Sequence, residues 1–251
     1  MAHDKLYGIC ESKCKVEVPS LEQYNEDLSS LSESITESMV SLSKEDRDFL
    51  TKKMLINMGK EILYDCTSLY KDRTDITTID YIETYFVDDM SDMFEGCTSL
   101  TTIPQLDVTN CYKFDYMFEG CTSLTTIPQL DFCDRAIKTT KMFADCTSLT
   151  TIPDFGGTSI TGGMNMFEGC TSLTTFTDNP YAPEGSRWRF VSKQPVYLAD
   201  CPLDRASILK VFNGLLQGSG NSVFISSTTN SYLSEEDKAI ATNKGWNIKV
   251  E

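Results

Sequence analysis

The chain is nearly without histidine: His3 is the only one among 251 residues. Ser-His and Cys-His nucleophilic pairs therefore lack a base, and imidazole-rich metal sites are excluded. Basic residues are also scarce, with Lys+Arg 22 against Asp+Glu 37 and a net charge of -15, a balance that repels nucleic acid and anionic membranes. No window approaches the roughly 20 apolar residues of a spanning helix, so no membrane insertion is expected. The opening Met-Ala-His-Asp-Lys lacks the pattern of a secretory leader, which predicts synthesis in a cytoplasm. Ten cysteines in this length are too few for a small secreted disulfide scaffold.

What the chain does have is repetition. CTSLTTIPQLD occurs unchanged at 97–107 and 121–131, and related copies begin at Cys66, Cys146 and Cys170. A sixth is read at Cys201, because YLADC matches the MFADC that precedes Cys146. The cysteines lie 31, 24, 25, 24 and 31 residues apart, with insertions placed near 70–76 and within 179–195. Three residues before each cysteine stands Leu63, Phe94, Phe118, Phe143, Phe167 or Leu198; Met93, Met117, Met142 and Met166 precede the phenylalanines, and Leu100, Leu124, Leu149 and Leu173 follow the cysteines by three. A residue type recurring at one phase is stacked on its own copies, burying a core that no single coil could close. The cysteine ladder is read as reduced and buried, since a free thiol packs as a small hydrophobe. Thr-Thr pairs after each Leu predict short parallel strands with one Thr of each pair outward, ended by Pro104, Pro128 and Pro153. The predicted fold class is an α/β repeat solenoid of leucine-rich-repeat type, with N-terminal helices and a small C-terminal α/β cap.

The flanks divide into a segment at 1–19, a helical region at 20–61, the six-coil solenoid at 62–201 and the cap at 202–251. Leu21, Tyr24, Leu28, Leu31, Ile35 and Leu42 follow a heptad, which suits either self-association or docking on the repeats. Leu21, Leu28, Leu31 and Ile35 are the candidate oligomerisation seam. A second helix starting near Ser43 would close the N-terminal end. In the cap, 206–216 predicts a helix, 222–226 a strand, 235–244 a helix capped by Ser234, and 246–250 a last strand.

The pattern MF-x-x-C-x-SL-x-x-IP resembles BspA-type leucine-rich repeats and the related bacterial surface-protein repeats. The resemblance implies a recognition surface, not chemistry. YGICESKCKVEVPS, at 7–20, is similar to the start of many tail-fibre and other virion-surface proteins of bacteriophages that infect gut bacteria. LSEEDKAIATNKGWNIKVE, at 233–251, resembles the C-terminal cap of repeat proteins from such phages. Together they imply a structural, host-attachment protein of the virion, assembled in the host cytoplasm and released at lysis, with a bacterial cell-surface adhesin or a cytoplasmic protein-binding scaffold as alternatives. On this reading Tyr7, Cys10 and Cys14 attach to other virion proteins, and the partners are those proteins, a host-surface receptor and further copies of the chain, a trimer by analogy with fibres. No cofactor is expected.

Candidate ligand-contacting residues are Thr102, Thr126, Thr151 and Thr175 on the strands, and Tyr181, Arg187, Trp188 and Arg189 in the second insertion, since aromatic and arginine side chains dominate binding hot spots. A terminal loop packed on the cap explains the insertion equally. Cys10, Cys14 and His3 lack a full metal-ligand set, leaving a disulfide or simple packing as further readings. Asp88, Asp89 and Asp92 lack the spacing of a calcium loop and read as a solvated turn. Nothing positions a carboxylate pair for hydrolysis, so no enzymatic activity is expected.

Overall fold

A computed structural model describes residues 63–251 apart from 80, 131, 133–136, 154, 156–158, 162, 164, 179–188, 191–193 and 218–219. The chain divides into Met1–Met58 and Gly59–Glu251, and every described residue belongs to the second part. The expected N-terminal helices, with Leu21, Leu28, Leu31 and Ile35, lie outside the described residues, as do His3, Tyr7, Cys10 and Cys14.

The described residues between 63 and 178 form successive coils that bond each to the next. Tyr70, Phe94, Phe118 and Phe143 each donate a backbone N–H to the methionine carbonyl one repeat ahead, at Met93, Met117, Met142 and Met166, over 2.9–3.0 Å. The rings follow the same register. Tyr70, Phe94, Phe118, Phe143 and Phe167 stack in one column with centroids 5.5, 5.4, 5.4 and 5.9 Å apart and planes within 11° of parallel. The phenylalanines, the four methionines before them and the four leucines after the cysteines are buried. Withdrawing each such side chain from water contributes about 2–3 kcal/mol.

This register corrects the position of the first repeat. Cys66 donates its N–H to Asp89, as Met90 does to Lys113 and Phe114 to Lys138, so Cys66 occupies the phase of Met90 and not that of Cys97. Tyr70 holds the ring position and Arg73 the cysteine position, for the Arg73 N–H bonds Tyr70 as the Cys97 N–H bonds Phe94. Thr77 then accepts from the Thr101 N–H at 2.9 Å, one ordinary repeat away. No insertion at 70–76 is needed.

Regular strand is sparse. β1 (Thr151–Pro153) pairs in parallel with β3 (Thr175–Thr177), and β2 (Ser159–Ile160) with β4 (Arg189–Phe190). Single parallel bridges at Asp89–Lys113–Lys138 and Thr126–Thr151 extend the contact between coils. The described residues thus show short parallel strands in small sheets, few helices and no closed barrel. The earlier Thr pairs lie in irregular backbone with both members exposed, so the expected in-out alternation fails there.

Each coil turns through two left-handed residues. Ser68, Asp92, Tyr116, Lys141 and Asn165 occupy one site, and Asp72, Gly96, Gly120, Asp145 and Gly169 the other, just before the cysteine phase. At the second site each Asp is followed one coil later by Gly for a steric reason. A Cβ at Gly96 would lie 2.4 Å from Asp72 Oδ1 and one at Gly169 would lie 2.3 Å from Asp145 Oδ1, whereas at Gly120 the nearest atoms are Gly96 backbone at 3.8 Å. Asp in one coil is accommodated by Gly in the next.

The C-terminal residues build three parallel strands, β5 (Val196–Leu198), β6 (Ser222–Ile225) and β7 (Asn247–Val250), in that order, with helices between them. α1 (Arg205–Gly214) is capped by Asp204, whose side chain accepts from the Ser207 N–H at 2.7 Å. α2 (Ser227–Tyr232) was not expected from its sequence; Ser226 caps it through the Thr229 N–H. α3 (Glu235–Thr242) carries the full capping box of Ser234 and Asp237. Arg205 fixes α3 to α1 through two bonds to Asp237, and buried Trp246 donates Nε1–H to the Leu216 carbonyl at 2.8 Å.

Gly120→Ala is expected to cost about 1–2 kcal/mol, the left-handed backbone strain alone. Gly96→Ala should cost more, because the Asp72 carboxylate must also move. Urea unfolding of the two variants checks the order, and equal losses would contradict the steric account.

Candidate functional site

The sequence places chemistry-bearing residues at repeated phases. The Cys ladder is the most regular. Cys97, Cys121, Cys146, Cys170 and Cys201 donate their Sγ–H to the carbonyls of Tyr70, Phe94, Phe118, Phe143 and Phe167, at 3.0–3.3 Å. The phenylalanine carbonyls also accept the N–H of the cysteine three residues later, as Phe94 does from Cys97. All five thiols are free and buried. Desolvation pushes the Cys97, Cys121 and Cys146 thiols upward, and Cys66 up to about 11 and Cys111 up to about 12. These are neutral packing groups with a weak donor, the opposite of a reactive thiolate.

The threonines form a second ladder. Thr101, Thr125, Thr150 and Thr174 each turn Oγ1–H toward the carbonyl of the corresponding Thr one coil back, at 3.0–3.4 Å, while remaining exposed. Their neighbours Thr126, Thr151 and Thr175 share one parallel register, and Thr102 stands exposed one repeat before Thr126. Thr175 is not open surface: its hydroxyl donates to Asp204 Oδ2 at 3.4 Å, and the Asp204 N–H bonds Thr174, so the row ends against the cap. Burial pushes the Asp204 carboxyl up, but hydrogen bonds from Ser207 and Thr175 hold it below the ordinary value. Arg189 is exposed and sits on β4, whose partner is β2, away from the β1–β3 pair that carries Thr151 and Thr175. Tyr181, Arg187 and Trp188 lie outside the described residues.

Residues 64–179 match a family described as Mycoplasma protein of unknown function, DUF285. The match spans 116 of the 251 residues and coincides with the repeats that resemble BspA-type surface proteins. Comparison with curated proteins and with solved structures returns no match.

Within the DUF285-like segment Asp89 and Asp92 are engaged by the fold, while Asp88 is exposed. Burial raises the Asp89 carboxyl, yet hydrogen bonds from Lys113 Nζ (2.7 Å) and the Ser91 N–H (3.0 Å) bring it below its usual value. Lys71 pairs with Glu95 at 2.7 Å and with Asp92 at 3.6 Å. Among the described residues no group of three His, Cys, Asp or Glu side chains is placed to hold a metal ion, and no helix is long and apolar enough to cross a membrane.

The coils open a cavity of about 600 Å³ between 81–84 and 104–109, and the sequence reading missed it. The signal was the 24-residue register itself, which sets Tyr81 beside Gln105 and Glu83 beside Asp107. The side chains of Thr84 and Asn110 join the coils here, donating to the carbonyls of Asp107 (2.8 Å) and Tyr85 (2.6 Å).

In the unfolded chain thiols ionise near their ordinary value of 9.0, while the folded chain keeps Cys66 and Cys111 protonated to about 11 and about 12. Above that ordinary value the unfolded state holds fewer protons, so the thiols' contribution is complete below it and is lost as pH rises through the folded values. Urea midpoints are expected to fall between about pH 9 and pH 11, and to fall less in Cys111→Ala. Native labelling at about pH 8 should spare Cys97, Cys121, Cys146 and Cys170; rapid reaction of all four in the folded chain would contradict the buried ladder.

Proposed function

We propose that the chain is a leucine-rich-repeat-type solenoid acting as a non-enzymatic structural and recognition protein displayed on a surface. The supporting observation is the repeat register of exposed Thr102 and Thr126 and half-buried Thr151, a row whose neighbours Thr101, Thr125 and Thr150 hydrogen-bond from coil to coil, while the repeat thiols are engaged by the fold. Such a row offers hydroxyls at strand spacing, about 4.8 Å, without any moving part. Two settings fit. The likeness of 7–20 and 233–251 to phage proteins supports a virion component, in which Tyr7, Cys10 and Cys14 meet other virion proteins and the exposed row meets a host receptor. The match to DUF285, read with the BspA-type resemblance, supports a bacterial cell surface. In either setting the heptad from Leu21 to Ile35 joins copies, a trimer in the virion reading, and Arg189 with the neighbouring insertion extends the contact surface.

The expected outcome is that labelled full-length chain binds intact gut-bacterial cells, and that Thr102→Lys/Thr126→Lys/Thr151→Lys together weaken this roughly tenfold or more with unchanged unfolding. Binding unaffected by the triple change, or no binding by the unaltered chain, overturns the reading. Light scattering of the full chain and of a chain lacking residues 1–42 measures the assembly: an oligomer and a monomer are expected, and a monomeric full chain contradicts it.

A further inference from the structure

We propose that the open edge of β7 is an interface withheld by one side chain: it matches a second copy of the chain except at Lys249, whose charge keeps two copies apart.

The edge follows from the direction in which the backbone of β7 points. Asn247 and Glu251 donate their N–H groups to the carbonyls of Asn221 (2.7 Å) and Ile225 (3.0 Å), and the Glu251 carbonyl accepts from the Ser227 N–H at 2.9 Å. Alternate residues of a strand turn their polar backbone groups to opposite sides, so the N–H and C=O of Ile248 and Val250 point away from β6. β7 is the last strand of its sheet, and among the described residues nothing bonds to Ile248 or Val250 on that side. Their side chains add an apolar strip, with Val250 48% exposed and Ile248 half-buried. Such an edge is a template for a further strand.

A second copy fits this edge through a two-fold axis at Lys249. Antiparallel pairing about that axis sets Ile248 opposite Val250 of the second copy and Val250 opposite its Ile248. Both outward residues then exchange both backbone bonds, the apolar side chains meet in pairs, and Asn247 stands opposite Glu251. One position does not fit. Lys249 falls on the axis in a pair without backbone bonds, where the Cα atoms lie about 4.5 Å apart and the side chains are closest. Two ammonium groups stand side by side there, and like charges directly opposite destabilise a strand pair. Lys249 is exposed and belongs to none of the ion pairs among the described residues, so no partner within them offsets its charge. Moving the axis to Val250 sets Lys249 opposite Glu251, but within 247–251 it pairs only Val250 through the backbone, half of what the first register offers. The fuller register is therefore the one that Lys249 blocks.

The test mixes two forms of the full chain and reads mass by light scattering, always against the unaltered chain, so that assembly through residues 1–42 cancels. Lys249→Glu exchanges one like-charged pair for another, and this variant alone is expected to keep the mass of the unaltered chain. In an equal mixture Lys249 meets Glu, and the mass is expected to roughly double. Ile248→Pro in both forms removes an outward N–H and leaves the bonds to β6 in place, so it should abolish the rise; Val250→Pro serves the same purpose if Ile248→Pro alters the circular dichroism. No rise in the mixture overturns the proposal without reference to either proline variant. A rise that survives a folded proline variant, or an unaltered chain whose own mass falls when proline is introduced, overturns it as well.

Discussion

The structure depends on the aromatic residue's carbonyl in each coil having two donors. One is the backbone N–H three residues later, which closes the turn. The other is the thiol of the next coil, which sets how the following turn sits on it. Because both donors come from the cysteine phase, a coil that shifts by one residue loses a buried hydrogen bond and breaks the ring column together. A buried carbonyl left with too few partners, and a thiol left against apolar neighbours, each add to the cost of slipping. The left-handed residues before Met and before Cys are the geometric condition for this arrangement, since they turn the chain sharply enough to bring it back to phase after 24 or 25 residues.

A repeat held this firmly inside leaves its variation outside. The buried phases barely change from coil to coil, while the exposed and half-buried phases run from Tyr81 to Gln105 and Gln129 at one position and from Glu83 to Asp107 at another. The proposed recognition would thus be carried by side chains whose backbone is set by the core. Beside the rigid ladder, the side chains of Thr84, Asn110 and Gln105 bond carbonyls of the adjacent coil, so contacts between coils there are carried partly by side chains. The cap works in the same way at the far end: Asp204 continues the threonine row with its N–H and starts α1 with its carboxylate, joining the repeat to a different architecture through one residue.

Much of this was legible in the sequence because identical strings report identical environments. The Met, Phe, Cys and Leu phases of the central coils are buried as their recurrence predicts, and Ser234 with Gly245 marks the helix that the structure shows. The first repeat misled for a physical reason. CTSL at Cys66 copies the letters of the repeat at another phase, whereas the in-phase signal was the short ITTI at 76–79, four residues that carry the threonine ladder. α2 was missed because Ser, Thr and Asn favour caps and turns over helix interiors, and only Ser226 and the packing of Thr229 hold them. Thr175 reads as open surface in the sequence because nothing local shows that Asp204 folds back onto it. The cavity was invisible for a related reason: Tyr81 and Gln105 are unlike each other, and a search for sameness passes over positions that differ.

The most direct test is the unfolding free energy of Phe118→Ala, measured by urea denaturation. Phe118 lies in the middle of the ring column and its carbonyl accepts from both Cys121 and Cys146. A loss of about 3–5 kcal/mol is expected, the cost of a buried aromatic and the cavity it leaves. A loss below about 1 kcal/mol would mean that the column is not the core and that the coils are held in register by something else.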